Sequence, residues 1–319
     1  MVLDAEAVTL RRRLKRRLAL WRITAVVLGL LVIVALTLGN QQAGPGALLP
    51  HIARLSVSGI ITDDQKMQNL IDKLAKAEQV KAVIVDINSP GGTTTGGEAM
   101  YDAVRRLAAK KPVVAVCGTL ATSAAYIVAL ATDRIFVHGN TITGSVGVIF
   151  EWVDVSELMH TLGVKVEEVK SGPLKAEPDP FHPADEKARA LSEEIVQEAK
   201  VWFVDLVAKR RGIEPEAVPG LTDGRIYSGR QAVTFKLVDQ VGDERQAVDW
   251  LRSERKIGKG LSIVDWKPQA DSGGPFSWLF GSVASIFGVP VEKIASLLGE
   301  VSASLKLDGM VSLWHPPAG

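Results

Sequence analysis

Three short segments of the 319-residue chain hold residue types that could carry out acyl transfer: Asn88-Ser-Pro-Gly-Gly92, Gly118-Thr-Leu-Ala-Thr-Ser-Ala-Ala-Tyr126 and Ser171-Gly-Pro-Leu-Lys175. The first follows the apolar run Ala82–Ile87 and stands shortly before a helical pattern. Two glycines at the carboxyl end of a strand let the backbone turn sharply and aim N–H groups into a crevice, as an oxyanion requires. A plain tight turn would use the same two residues. The second segment places Ser123 where a strand hands over to a helix. A hydroxyl there sits at the positive end of the helix dipole, and the N–H of Ala124 can donate to a developing oxyanion. Serine is also a common N-cap, which is the ordinary alternative. In the third segment Lys175 sits among Gly and Pro after the strand-like stretch Lys165–Val169. A lysine acts as general base only where its surroundings bring its pKa toward neutrality, and most lysines are simply solvated.

Histidine is the more usual base, so the five in the chain compete for the role. His138 follows the apolar run Arg134–Val137 and is the one placed for a triad with Ser123. His51, His182 and His315 fall in linker or Pro-flanked segments, and His160 lies within a helical pattern. At this level a triad through His138 stays open. No HExxH, paired-cysteine or Walker A spacing occurs, so neither a metal nor a cofactor is expected. The single cysteine, Cys117, follows Val113, Val114 and Val116 and reads as a small buried hydrophobe.

The elements that must position these residues follow an α/β rhythm. Ala82–Ile87, Val113–Cys117 and Arg134–Val137 read as buried strands, separated by helical periodicity in Met67–Ala77, Glu98–Ala108 and Ala124–Ala131. A long amphipathic helix is expected over Ala184–Arg211, and Ser228-Gly-Arg-Gln231 has the spacing of a capping box. With 47% hydrophobic and 23% charged residues the chain can bury a large core. Lysines plus arginines (37) nearly match the acids (36), which gives no footprint for nucleic acid.

Charge asymmetry is local. Arg11, Arg12, Arg13, Lys15, Arg16 and Arg17 precede Ile23–Leu38, a run without any charge. That run is short against the ~20 residues of a spanning helix, but Leu18–Trp21 extend it and Arg22 can snorkel. It predicts a basic cytoplasmic N-terminus over 1–22, a transmembrane anchor over 23–39 and a linker over 40–51, with everything beyond lying outside the cytoplasm. A folded domain is expected over 52–251 and an amphipathic extension over 252–319. In that extension Phe276, Leu279, Phe280, Val283 and Phe287 share one helical face, and Ile294, Leu297, Leu298 and Val301 share a second. The extension is expected to contact protein or membrane.

The segments Asn88-Ser-Pro-Gly-Gly92, Thr122–Ile135, Thr143-Gly-Ser-Val-Gly-Val148, Ser171–Lys175 and Asp223-Gly-Arg-Ile-Tyr-Ser-Gly229 occur in the order found in the signal peptide peptidase A family, peptidase family S49, which the chain resembles from Ile52 to Leu251. The resemblance implies a Clp-protease/crotonase-like fold of repeated ββα units behind the N-terminal transmembrane helix. It also implies a serine endopeptidase using a Ser–Lys dyad. Ser123 matches the nucleophile and Lys175 the general base, 52 residues apart as in short single-repeat members. Ser145 resembles the serine that orients the lysine, and Gly92 and Ala124 resemble the oxyanion donors. No cofactor is implied. The expected partners are peptide substrates such as signal peptide remnants, the membrane through the N-terminal helix, and further copies in a homo-oligomeric ring. The expected place is the bacterial cytoplasmic (inner) membrane, single-pass, with the catalytic domain extracytoplasmic. The chain departs from the family's Ser-Gly-Gly in having Ser123-Ala124-Ala125, which keeps the N–H groups and adds methyls. The alternatives are a stomatin-associated membrane protease of the same chemistry, a crotonase-like acyl-CoA enzyme, and an inactive assembly protein.

Overall fold

The computed structural model of the protein describes residues 17–18, 20–29, 49–268 and 311–313. Residues 20–29 are helical and exposed. Among the described residues no helix is long and apolar enough to cross a membrane. Residues 30–39 of the expected anchor, and both helical patterns of the C-terminal extension, lie outside the described residues.

The α/β rhythm folds as expected into one sheet with helices packed against it. Its strands are β1 (His51–Ile61), β2 (Val80–Thr93), β3 (Val113–Thr122), β4 (Arg134–Val137), β5 (Ile142–Gly144), β6 (Ile226–Ser228), β7 (Gln240–Val241), β8 (Ser262–Trp266) and β9 (Val311–Leu313). They run in the order β6-β5-β3-β2-β1-β8, with β4 also beside β3, β7 beside β4 and β9 against β2. The β8, β1, β2 and β3 pairings are all parallel. Ala82, Val83, Ile84 and Val85 in β2 are 0% exposed, as an apolar run must be when a parallel sheet is covered on both faces.

Helix α1 (Gln65–Lys76) buries Leu70, Ile71 and Leu74, and its N-cap Asp64 accepts from the Lys66 N–H. Helix α2 (Thr94–Ala108) starts where β2 ends, with the Thr93 hydroxyl accepting from the Gly96 N–H. Helix α3 (Ala124–Leu130) is buried at every position. The short α4 (Ser156–Thr161) and the long α5 (Glu186–Arg211) follow, the latter capped by Asp185. Helix α6 (Gly229–Thr234) opens with the predicted Ser228–Gln231 capping box, and α7 (Glu244–Glu254) opens with a second one, Asp243–Gln246.

Three local expectations are corrected. Strand β2 does not stop at Ile87 but runs through Pro90, Gly91 and Gly92, so these glycines form no tight turn. Gly92 pairs with Ile61, and a Cβ there would lie 1.8 Å from the Ile61 carbonyl oxygen. The glycine is needed for close strand approach. Lys165–Val169 is not a strand: it is irregular and mostly exposed, because no neighbouring strand satisfies its backbone among the described residues. The sheet also continues past Leu251, since Ser262–Trp266 pairs with His51–Leu55. There Trp266 Nε1 donates to Nε2 of buried His51 at 3.0 Å, so His51 starts the core and does not belong to a linker.

The loop carrying Lys175 is closed by ion pairs on both sides of it. Lys170 Nζ lies 2.5 Å from Glu168, 2.6 Å from Glu177 and 3.3 Å from Asp179. Asp179 accepts from the Phe181 and His182 N–H groups and lies 3.0 Å from His182 Nδ1. Hydrogen bonds to Glu168 and Glu177 keep Lys170 firmly protonated, so this lysine is a structural cation. Burial opposes the Asp179 charge, but bonds from His182, the Phe181 N–H and Lys170 hold its carboxyl well below the usual range. Asp179 in turn raises His182 above the ordinary imidazole value.

Two predictions follow from this packing. Gly92→Ala is expected to lose at least ~1–3 kcal/mol of stability, read from a denaturation midpoint, because its methyl meets strand backbone that cannot yield. The raised His182 pKa makes its contribution to the loop complete below about pH 6.5 and lost as pH rises through the folded value. The lowered Asp179 pKa makes its contribution present above about pH 4 and lost as pH falls. Amide protection factors across residues 168–182, corrected for the intrinsic pH dependence of exchange, should therefore be highest between these limits and lower at pH 8. Lys170→Met should lower them at every pH.

Candidate active site

The sequence-predicted nucleophile lies where β3 gives way to α3. Ser123 has φ 59° and ψ −123°, a conformation that L-residues rarely adopt. Such a turn between strand and helix lifts a side chain over the carboxyl end of the sheet. The Ser123 N–H donates to the Gly144 carbonyl at 2.8 Å, and its carbonyl accepts from Tyr126 and Ile127. Its side chain makes no cap bond to the helix, so the ordinary N-cap alternative is not what the residue does. The residue is 1% exposed.

Ala124 opens α3, where the first N–H groups have no intrahelical acceptor. The added methyl is accommodated from α2: a Cβ at Gly97 would stand 3.1 Å from the Ala124 Cβ. The departure from Ser-Gly-Gly thus fits beside a glycine, with the backbone of the site in place. Gly92 reaches the same end of the sheet along β2, tied to β3 by the Thr122 hydroxyl donating to the Pro90 carbonyl at 3.0 Å.

Ser145 follows Gly144 directly, so the bond that fixes Ser123 also brings Ser145 beside it. Ser145 itself has φ 53°, and its N–H donates to the Arg225 carbonyl at 2.9 Å. The Asp223–Gly229 motif now has a structural role. It supplies β6, whose Tyr227 pairs with Thr143 and whose ring lies against Gly144, and the Tyr227 hydroxyl donates to the Pro219 carbonyl at 2.9 Å. A cleft of about 430 Å³ opens beside Ser145, lined in part by Val148, Val196, Lys200 and Asp223.

The Ser123–Gly144 bond sets Ser123, Ala124 and Ser145 at one strand-to-helix junction, Gly92 lies at the end of the neighbouring strand β2, and Lys175 lies on an exposed loop with no hydrogen bond to Ser123. Lys175 is exposed, and its ammonium has no hydrogen-bond or ion-pair partner among the described residues. His138 does not replace it. That histidine is exposed, and among the described residues its hydrogen bonds are made by its backbone: its N–H donates to the Thr141 hydroxyl and its carbonyl accepts from the Thr141 N–H. Burial pushes the Cys117 thiol up to about 12, which leaves it inert as a nucleophile. Glu168, Asp179 and His182 have ligand atoms within 4.8 Å of one another, but the Lys170 ammonium already sits against them as the cation.

Sequence reasoning missed two residues within its own first motif. Buried Ser89 donates to the Gly59 carbonyl at 2.6 Å and accepts from the Gly91 N–H at 3.1 Å. Asn88 Oδ1 accepts from the Leu120 N–H at 3.1 Å. Together they hold the glycine stretch to its neighbours on both sides. The signal was their adjacency to the two glycines, but the partners at Gly59 and Leu120 are 30 and 32 residues away.

With one protomer supplying a serine, two candidate oxyanion donors and a serine for orientation, the arrangement suits attack on an acyl carbon. The profile described as peptidase family S49 matches residues 105–258, and the one described as Clp protease matches residues 53–140. A protein named "Putative signal peptide peptidase SppA" from Enterococcus faecium is 34% identical over 260 residues, which are 76% of this chain and 74% of that one. "Serine protease SPPA, chloroplastic" from Arabidopsis thaliana is 27% identical over 267 residues, 81% of this chain and 39% of that one. A solved ClpP1 from Listeria monocytogenes aligns at 17% identity and a TM-score of 0.41, covering 61% of this chain and 94% of that chain. Sharing this identity with a relative along three quarters of both lengths, the chain belongs to peptidase family S49.

Proposed function

We propose that the chain is a membrane-anchored serine endopeptidase whose Ser123–Lys175 dyad is shared between neighbouring copies in a ring. The observation that carries this reading is the division of the site: Ser123 is buried in a fixed turn, whereas Lys175 is presented on an exposed loop of the same chain. A lysine that remains solvated keeps its proton; covered by a second subunit, it can act as a base.

In the proposed reaction neutral Lys175 Nζ takes the proton of the Ser123 hydroxyl, and Oγ attacks the peptide carbonyl. The N–H groups of Gly92 and Ala124 hold the oxyanion. Lys175 then passes its proton to the leaving amine, which departs with the C–N bond electrons. Water adds to the acyl-enzyme, giving one proton to Lys175, and the restored Ser123 hydroxyl recovers that proton as the acid product leaves. Ser145 holds the ammonium in place.

Several features support assembly. Leu158, Leu162, Val164, Leu191, Ile195 and Trp202 are all exposed on α4, α5 and the segment between them. An apolar surface of this kind is suited to burial against a second copy. The cleft beside Ser145 has room for a lysine side chain arriving from a neighbour. The basic cluster ahead of the uncharged run Ile23–Leu38 favours anchoring with the folded domain outside the cytoplasm. Peptides left in or near the bilayer, including cleaved signal peptides, are then the accessible substrates, and small or aliphatic side chains are favoured next to the cut.

Ser123→Ala and Lys175→Arg should each lower kcat by ~10³-fold or more with the melting temperature unchanged, because a guanidinium cannot give up its proton. His138→Ala should leave turnover within about twofold, well short of the loss expected for a general base. Mixing Ser123→Ala and Lys175→Ala subunits one to one before assembly should restore activity at roughly a quarter of the sites if neighbours complete each dyad. No recovery in rings shown to be mixed would overturn sharing.

A further inference from the structure

Helix α3, which the chain enters from Ser123, is buried along its whole length and closes on Ala131 without the glycine that commonly ends a helix. Leu130, Ala131 and Thr132 at that end are all buried. Carbonyls at a buried helix end need donors from elsewhere, because water cannot reach them. Two arginines from two other helices supply the donors. Arg105 of α2 donates from Nη1 to the Ala131 carbonyl at 2.9 Å. Arg210 of α5 donates from Nε to the Leu130 carbonyl at 2.7 Å and from Nη2 to the Thr132 carbonyl at 2.9 Å. Their positive charge suits the negative end of a helix.

The residues next to them in sequence turn to carboxylates instead, Arg106 lying 3.9 Å from Asp72 and Arg211 2.9 Å from Asp239. Arg105 and Arg210 make no ion pair among the described residues. Burial, and after it the Arg105 charge, lower the hold of Arg210 on its proton. Two like charges are thus brought together at a cost that the shared carbonyls offset.

The far end of α3 bears on the nucleophile for two reasons. Ala124, Ala125 and Ala129 are among its seven residues, and such small side chains interdigitate little with their surroundings, so they do little to stop the helix sliding along its axis. Its axial position is set by polar contacts: the Ser123 N–H on Gly144 at one end, the Tyr126 hydroxyl donating to the Leu237 carbonyl at 2.7 Å, and the arginine bonds at the other end. The second reason is the Ser123 conformation at φ 59°, which persists only while its surroundings over-determine it. A helix of this length spans about 10 Å, a short strut between the arginines and the turn. Helix α2 holds that strut at both ends, with Gly97 against the Ala124 methyl and Arg105 on Ala131, and α2 itself starts where β2 ends beside Gly92.

We propose that Arg105 and Arg210 are positioning residues for the reaction: bound to the last carbonyls of α3, they hold the helix where the Ser123 hydroxyl and the Ala124 N–H can meet the acyl group. This rests on the peptidase reading above and adds to it two residues remote from the reacting atoms. Neither touches substrate, so substrate binding does not depend on them. The effect falls on kcat, because a displacement of about 1 Å at a reacting group costs up to about a hundredfold.

The test replaces Arg105→Met and Arg210→Met together in the full-length protein, with Arg105→Lys and Arg210→Lys as a conservative pair that keeps a charge and a donor at each place. Protection of the Ser123 amide, which reports its bond to Gly144, is measured first. It should fall by about tenfold or more in the methionine pair and by less in the lysine pair, with α1 and α7 protected as in the parent. If the methionine pair does not fold, Arg105→Met alone, which removes only the bond to Ala131, is read in the same way. Unchanged protection at Ser123 overturns the inference, whether or not the protein cuts peptides. In active protein the methionine pair should show kcat lower by about tenfold or more at an unchanged KM, and the lysine pair should recover part of that loss. Equal kcat, a loss confined to KM, or a lysine pair no better than the methionine pair overturns the positioning role. Absence of peptidase activity from the parent and both variants, with Ser123 protection lowered, counts against the peptidase reading and leaves the arginine hold on α3 supported.

Discussion

The hydrogen bond from the Ser123 N–H to the Gly144 carbonyl, at 2.8 Å, is the contact on which the site depends. Ser123 holds φ 59°, and a residue in such a conformation costs on the order of 1–3 kcal/mol unless its surroundings over-determine it. Here they do. The residues before it are locked in β3, those after it in a fully buried α3, and the bond to Gly144 joins the turn to β5. Gly144 is itself at φ 90° with the Tyr227 ring packed where a side chain would stand. Thus the Asp223–Gly229 segment, some hundred residues from the serine, is part of what holds the serine in place.

The same end of the sheet explains why the glycines matter. The backbone pairing of the parallel strands β2 and β3 ends at Ser89 and Ala121, with the Thr122 hydroxyl bonded to the Pro90 carbonyl just beyond, and the carboxyl ends of the two strands carry Gly92 and Ser123. Gly92 must approach Ile61 closely for β2 to extend that far, so its lack of a side chain serves the sheet before it serves any chemistry. Ser89 and Asn88 secure the stretch through hydrogen bonds to Gly59 and Leu120. An open strand edge beside a crevice is also an attachment point for extended chain, which is where β9 pairs.

The two halves of the proposed dyad have opposite physical settings. Ser123 stands in a rigid, desolvated turn, whereas Lys175 stands on a loop whose ends are drawn together by Lys170, Glu177 and Asp179. A lysine held in water is charged and cannot accept a proton, and a lysine buried without a task would cost folding energy. In the proposed assembly, exposure in the single chain and cover from a neighbour would avoid both problems. The two nearby lysines differ in the structure: Lys170 is paired with carboxylates, and Lys175 is exposed on the loop.

How much was legible from the residues alone depended on the range of the interaction involved. The α/β alternation, the strand cores of β2, β3 and β4, and the Ser228–Gln231 capping box were readable because periodicity and capping act within a few residues. The places of Ser123 and Ala124 at a strand-to-helix junction were readable for the same reason. The positive φ at Ser123, the continuation of β2 through Gly92 and the role of Tyr227 were not, because each is imposed by residues far away in the chain. Lys165–Val169 shows the converse: its β-branched Val166 and Val169 suggest a strand, but a strand exists only where another offers hydrogen bonds, and none does among the described residues. The sequence determined which residues could do chemistry and which local elements bear them. Tertiary structure alone decided that Ser123 is tied to Gly144 beside Ser145, that β2 extends to Gly92, and that residues 311–313 pair with β2, because sheet register is set by non-local backbone pairing.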